Sequence, residues 1–155
     1  MNRIILGAIG PALIVAALQC LIDTLVPIVT VGQPFEQQLA VAMVMIGVNQ
    51  SALLLGAIAY AGFLRCRSSV SLAGCALGGA AVGFLANLVS EAGKSVFICL
   101  VVAFMFGIVA FKIALVIMVF SCSLAGIGGL ILGEIGGGAV GLLSRWRSEH
   151  SVRNV

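Results

Sequence analysis

The chain has 155 residues, of which 62% are hydrophobic and 8% charged, with a mean hydropathy of +1.27 and a formal charge of +3. A water-facing domain carries about a quarter charged residues, so the eight Lys and Arg and five Asp and Glu here exclude a soluble globular fold and leave lipid as the solvent. The basic residues are sparse and border apolar runs, which excludes nucleic acid as a partner and makes them topology determinants and headgroup contacts.

The first segment has a basic start at Arg3 and an apolar run that imitates a secretory signal. No small-x-small cleavage site follows, and Gln19 spoils Cys20 as a lipoprotein-type acceptor. A retained first span over 4–22 is expected, ending near Leu21 or Ile22 because Asp23 and Pro27 interrupt the run. Residues Thr24 to Gln38 then form an extended connector with Gln33-Pro34 as its turn.

The second apolar segment, 39–64, starts after Glu36 and ends at Arg65, each favourable for its end of a helix. Ser68-Ser69 opens a third segment, 70–90, with a line of small residues at Ser71, Cys75, Gly79, Gly83 and Asn87. The hydrophilic run from Ser90 to Lys94 is read as a turn into a fourth segment, 95–120. The fifth segment, 124–143, sets Ala125, Gly129, Gly133, Gly137 and Gly141 four residues apart, and a polar tail occupies 144–155.

Positions four apart share one side of a helix, so this glycine ladder is a ridge nearly free of side chains. Close backbone approach matters most in lipid, where van der Waals packing must hold helices together. Gly79, Gly83, Gly129, Gly133, Gly137 and Gly141 are therefore assigned to helix packing. The first segment has a milder version at Ala8, Ala12, Ala16 and Cys20.

The expected fold is all-α, a single polytopic transmembrane bundle over 1–143 with four spans and a Gly-rich fifth segment, either re-entrant or a fifth span. Outside the apolar runs, four spans put Arg3, Arg65, Arg67, Arg145, Arg147 and Arg153 on one side against Lys94 alone. The positive-inside rule then prefers four spans with both termini cytoplasmic, in a bacterial inner membrane or a eukaryotic membrane.

Glu134 is the sharpest chemical candidate, because a carboxylate in an apolar segment must be protonated, paired or turned to a cavity. It is either a proton or cation site or a structural hydrogen bond. Lys112 interrupts the fourth segment; it snorkels to the nearer surface or pairs with Glu134 or Asp23. Asn49, Gln50 and Ser51 lie halfway along the second segment and fan out in different directions, so they cannot all serve one ligand. Asp23 and Gln50 join Glu134 and Lys112 as candidates for ion or proton handling. Arg65-Cys66-Arg67 sets a thiol between two cations, Arg145-Trp146-Arg147 has the make-up of an interfacial anchor, and His150 stands alone.

Five cysteines show no metal-ligand spacing and no disulfide framework. The chain has no HExxH, GxSxG, P-loop or Rossmann glycine pattern. No enzyme activity, catalytic residue, metal or cofactor is expected.

Over roughly 35 residues, Gln33-Pro34 and the following Gln50-Ser51 resemble the first hairpin of the proteolipid ring subunits of rotary ATPases. The resemblance implies an ion- or proton-conducting role. The later hairpin departs from that family, since 95–120 holds no carboxylate and Glu134 lies well beyond the equivalent position. Two functions are thus expected as alternatives. One is a non-enzymatic subunit or scaffold of a larger membrane complex, packed through its glycine faces against itself or other subunits. The other is a small ion or proton conductor that uses Glu134.

Overall fold

The computed structural model of the chain describes residues 2–67 and 70–153. It holds three long apolar helices, α1 (Asn2–Thr30), α2 (Phe35–Arg67) and α3 (Leu72–Arg153), with no strand among the described residues. Each is long and apolar enough to cross a membrane. Four spans and a separate fifth segment do not emerge as such, because the last three apolar runs all belong to α3.

Helix α1 does not stop at Leu21 or Ile22 but continues to Thr30. Asp23 is tolerated inside it because Asn49 Nδ2 donates to Asp23 Oδ1 at 2.7 Å and Lys94 meets Oδ2 at 2.9 Å. Thr30 Oγ1 donates back to the Val26 carbonyl at 2.8 Å, which closes the last turn. The expected connector shrinks to Val31–Pro34, and Gln33-Pro34 does sit in the turn. Gly32 takes the positive φ of 77° that the reversal needs, and Gln33 N donates to the Thr30 carbonyl at 3.1 Å.

Ser71 opens α3, its Oγ accepting from Gly74 N at 3.2 Å. The start anticipated at Ser68-Ser69 lies outside the described residues. The turn expected at Ser90–Lys94 is helical, and the chain reverses instead at Gly107, inside the run read as a single helix over 95–120. Gly107 has φ 79° and ψ −173°, a combination that a side chain all but forbids. It divides α3 into a first arm, 72–106, and a second arm, 108–153.

The two arms run back antiparallel along one another. A Cβ on Gly79 would strike the Gly133 carbonyl, one on Gly83 the Gly129 carbonyl, and one on Gly137 the Cys75 carbonyl. Gly141 faces Leu72 one turn further on. The segment 124–143 thus lies along 72–90 as a continuous part of the second arm of α3 and not as a separate helix, and the helix extends through the polar tail to Arg153.

Helix α1 lays Ala8, Ala12 and Ala16, all buried, against the rest of the bundle. Ala12 and Val15 meet Leu53 of α2 and Ala86 of α3, while Ala8 meets Tyr60 and Val82. Tyr60 donates its hydroxyl to the Ile4 carbonyl at 2.6 Å, which satisfies the one polar atom of an otherwise apolar ring. These contacts make α1 parallel to the first arm and antiparallel to α2. The start of α1, the end of α2 and the end of the second arm share one end of the bundle, where Arg65 Nη1 donates to Val70 O at 2.8 Å. The α1–α2 turn and Gly107 share the other.

Candidate functional site: a polar cavity among three helices

On α1, Gln19 and Asp23 are four residues apart and share a face. On the first arm of α3, Asn87, Ser90, Glu91 and Lys94 follow a three- and four-residue spacing along one side. Asn49 and Gln50 approach from α2. Together with Ile46 and residues of the second arm near Gly128, these side chains line a cavity of about 590 Å³. Its walls are polar on one side and made of Leu124, Ile131 and Leu132 on the other.

The polar groups form two linked systems. In the first, Asn87 Nδ2 donates to the Ala125 carbonyl at 3.1 Å, and Gln19 Nε2 donates to Asn87 Oδ1 at 3.0 Å. In the second, Lys94 Nζ bridges Asp23 Oδ2 and Glu91 Oε2 at 2.9 Å each. Asn49 Nδ2 joins this system through Asp23 Oδ1, and the Asn49 backbone carbonyl accepts from Gln19 Nε2 at 3.5 Å. Cys20 Sγ and Ser90 Oγ are 3.7 Å apart beside it. Two carboxylates and one ammonium leave a formal charge of −1 beside the three carboxamides Gln19, Asn49 and Asn87.

A carbonyl can only accept, so the Ala125 contact fixes which end of Asn87 is the donor. Asn87 then offers its oxygen to Gln19, and Gln19 must present nitrogen. The Asp23 carboxylate fixes Asn49 by the same logic. Both chains of donors therefore end with an oxygen unsatisfied: Gln19 Oε1 and Asn49 Oδ1 are buried without a hydrogen-bond partner. Gln19 is only 3% exposed.

The expected candidates divide sharply. Asp23 and Gln50 line the cavity. Glu134 does not; it is exposed on the outer face of the second arm, with no hydrogen bond or ion pair among the described residues. Lys112 is exposed towards the hairpin tip and pairs with neither Glu134 nor Asp23, whose cationic partner is Lys94. Glu134 lies outward because Gly133 and Gly137 take the inward positions of that arm. Ser51 turns away from the cavity and donates to the Gly47 carbonyl at 2.8 Å, as the fanning of consecutive positions requires. Cys66 is exposed near Ser144 and Arg147 at the arginine-rich end, and Trp146 is exposed at that same end.

Sequence reading missed Gln19, Asn87, Ser90, Glu91 and Lys94 as site residues. The signal was present: polar residues at 87, 90, 91 and 94 keep helical spacing, which a loop has no reason to keep. Among the described residues no group of three His, Cys, Asp or Glu comes together. Comparison with protein-family models, with curated proteins and with solved structures finds no match for this chain.

Proposed function

We propose that this chain is a multi-pass membrane protein that handles a cation or proton at the Asp23–Lys94–Glu91 cavity. The carrying observation is the convergence of Asp23 from α1 with Glu91 and Lys94 from α3 on a cavity within an apolar bundle. Ionisable groups within an apolar bundle are costly, and the default reading of such a group is a part in an ion pathway or proton relay. Between Arg3 and Asp23 the α1 helix rises about 30 Å, and between Leu72 and Phe106 the first arm rises about 50 Å. The cluster thus lies within the apolar height of the bundle and nearer the hairpin tip.

In this reading α1, α2 and the two arms of α3 make four crossings. The ends carrying Arg3, Arg65, Arg145 and Arg147 face the cytoplasm, in keeping with the positive-inside rule. Glu134 is outside the pathway. The test is flux in liposomes reconstituted with the full chain, followed by an internal pH dye and a potential-sensitive dye. Asp23→Asn is expected to abolish flux and Glu134→Gln to leave it unchanged. Equal flux from wild type and Asp23→Asn would remove the proposal.

A second reading, a non-enzymatic subunit or scaffold of a larger membrane complex, is favoured by the hairpin tip. Phe104 is 93% exposed, and Phe106, Ile108 and Val109 are also exposed beside it. From the level of Lys94 and Asp23, the first arm continues twelve residues to Phe106 and α1 seven to Thr30, so the tip projects roughly 7 Å past the end of α1. Against this reading, the glycine faces that suggested partner packing are occupied within the chain itself. Extraction in mild detergent tests it: a particle containing other membrane proteins at fixed stoichiometry supports the subunit role, and a lone monomer opposes it.

A further inference from the structure

We propose that the cavity binds one monovalent alkali cation through Gln19 Oε1, Asn49 Oδ1 and the Asp23 carboxylate, with Lys94 acting as the internal cation that it displaces from Asp23. The inference rests on the ion-handling reading above and narrows it to a ligand class.

The argument starts from the two unsatisfied oxygens. Gln19 and Asn49 line the same cavity, their Oε1 and Oδ1 are buried without donors, and each is fixed as an oxygen by a partner further along its chain. Rotating the Gln19 or Asn49 amide would set its oxygen against Asn87 Oδ1 or Asp23 Oδ1, acceptor against acceptor, and lose a bond already made. An unpaired buried acceptor is costly, so a ligand that supplies positive charge to both is strongly favoured. Asp23 Oδ2, the third oxygen, meets no donor other than the Lys94 ammonium.

Charge decides the kind of ligand. Asp23 and Glu91 supply two negative charges and Lys94 one positive, so a single added positive charge brings the site to neutrality. A neutral ligand would satisfy the oxygens and leave the surplus charge in apolar surroundings, which is expensive. The donors are all oxygen and mostly uncharged, which suits a hard monovalent ion; a divalent ion calls for more carboxylates. Lys94 is already forked equally between two carboxylates, at 2.9 Å from each. With the cation on Asp23, Lys94 keeps Glu91 and two neutral pairs result.

The experiment uses the purified full chain in detergent, with thermal unfolding followed in sodium, lithium, potassium or choline chloride at equal ionic strength. An alkali cation is expected to raise the unfolding midpoint in a saturable manner and choline is not. Gln19→Leu and Asp23→Asn should lose the response, and Glu134→Gln should keep it. Lys94→Gln should lower the half-saturating concentration about tenfold or more, because the competing charge is gone. Since Gln19→Leu could fail to fold, equilibrium binding of radioactive sodium to the wild type provides a second measure, with one ion per chain expected.

Identical responses to sodium and choline, responses unchanged in Gln19→Leu and Asp23→Asn, or no bound sodium would each overturn the cation site. If those results came with proton flux in liposomes that still depended on Asp23, the cation inference would fail alone. Loss of Asp23-dependent flux as well would take the ion-handling reading with it.

Discussion

The hairpin of α3 is packed in two different ways along its length. In the half built from 72–90 and 124–143, glycines bring backbone onto backbone, with Gly79 and Gly83 set against Gly133 and Gly129. In the half built from 95–106 and 108–120, the arms meet through side chains instead. Cys99 Sγ reaches Met118 Sδ only at 4.0 Å, and a gap of about 380 Å³ opens between Val102 and Ile98 on one arm and Ala110, Ala114 and Ile117 on the other. The first half is also covered by α1 and α2, while the second leaves Phe97, Phe104, Val116 and Phe120 exposed. The polar belt of Asn87, Ser90, Glu91 and Lys94 lies at the junction. Glycine makes an interface that admits no change; large side chains make one that can adapt.

The largest expected effect follows directly. In Gly83→Val the new Cβ falls on the Gly129 carbonyl, and neither backbone can move without parting the arms. Destabilisation of about 3 kcal/mol or more is expected, the upper end of overpacking costs. Circular dichroism during unfolding in mixed detergent micelles would measure it. Gly93→Ala is the control: it lies between Glu91 and Lys94 on the belt, outside the glycine-packed half, its Cβ would meet nothing within 4 Å, and a helical glycine replaced by alanine gains roughly 0.5–1 kcal/mol. Equal damage from both substitutions would break the distinction between the halves.

The junction is expected to be next in sensitivity. Lys94→Met leaves Asp23 and Glu91 without their shared cation, and Asp23→Ala strands Asn49 Nδ2 and half of the lysine's pairing. Each single change should cost about 2–4 kcal/mol, since removing one member of a partly buried pair leaves the other uncompensated. The double variant should cost clearly less than the sum, with a coupling of about 1–3 kcal/mol for groups in one network. Additive losses in a double-mutant cycle would mean that Lys94 and Asp23 do not act as a pair.

How much of this was legible in the chain itself depended on the kind of signal. The glycine ladder and the alanine face of α1 could be read from spacing, because a four-residue repeat has one meaning on a helix. So could the turn at Gln33-Pro34. The reversal of α3 could not. Ser90 to Lys94 has the composition of a loop, but its residues keep helical spacing and meet Cys20 and Asp23 across the bundle. A single glycine among bulky residues at 107 offers no pattern, and only its backbone angles reveal the turn. Asp23 looked like a helix end for a related reason: its charge is costly alone, and the partners that remove the cost lie 26 and 71 residues away. Glu134 drew attention by its charge, while the face it occupies was set by the glycines beside it.

Gly107→Ala tests the tip at the turn itself. With φ at 79° and ψ at −173°, alanine would hold a conformation that costs about 1–3 kcal/mol. The far half has few packed contacts to resist a shift, so the lower part of that range is expected. The accompanying change should be local, seen as faster amide exchange over 104–110 with the protection of 75–87 intact. Loss of protection at the glycine-packed half would show that the two halves unfold together.

The smallest effect belongs to filling the gap in the far half. Ala114 borders the space between the arms, and Ala114→Leu adds three carbon atoms there. A buried methylene contributes about 0.8 kcal/mol when water is the alternative, but here the alternative is lipid, so that drive is absent and only added dispersion contacts remain. Little of the cost of overpacking applies either, because the gap is already open. The expected change in unfolding free energy is within about 1 kcal/mol of zero, favourable in sign if the leucine occupies the gap. The same alanine-to-leucine change at Ala80, which is 9% exposed in the glycine-packed half, should be clearly destabilising. Two identical chemical changes on one hairpin, opposite in consequence, would show that packing between the arms and not helix propensity sets the tolerance.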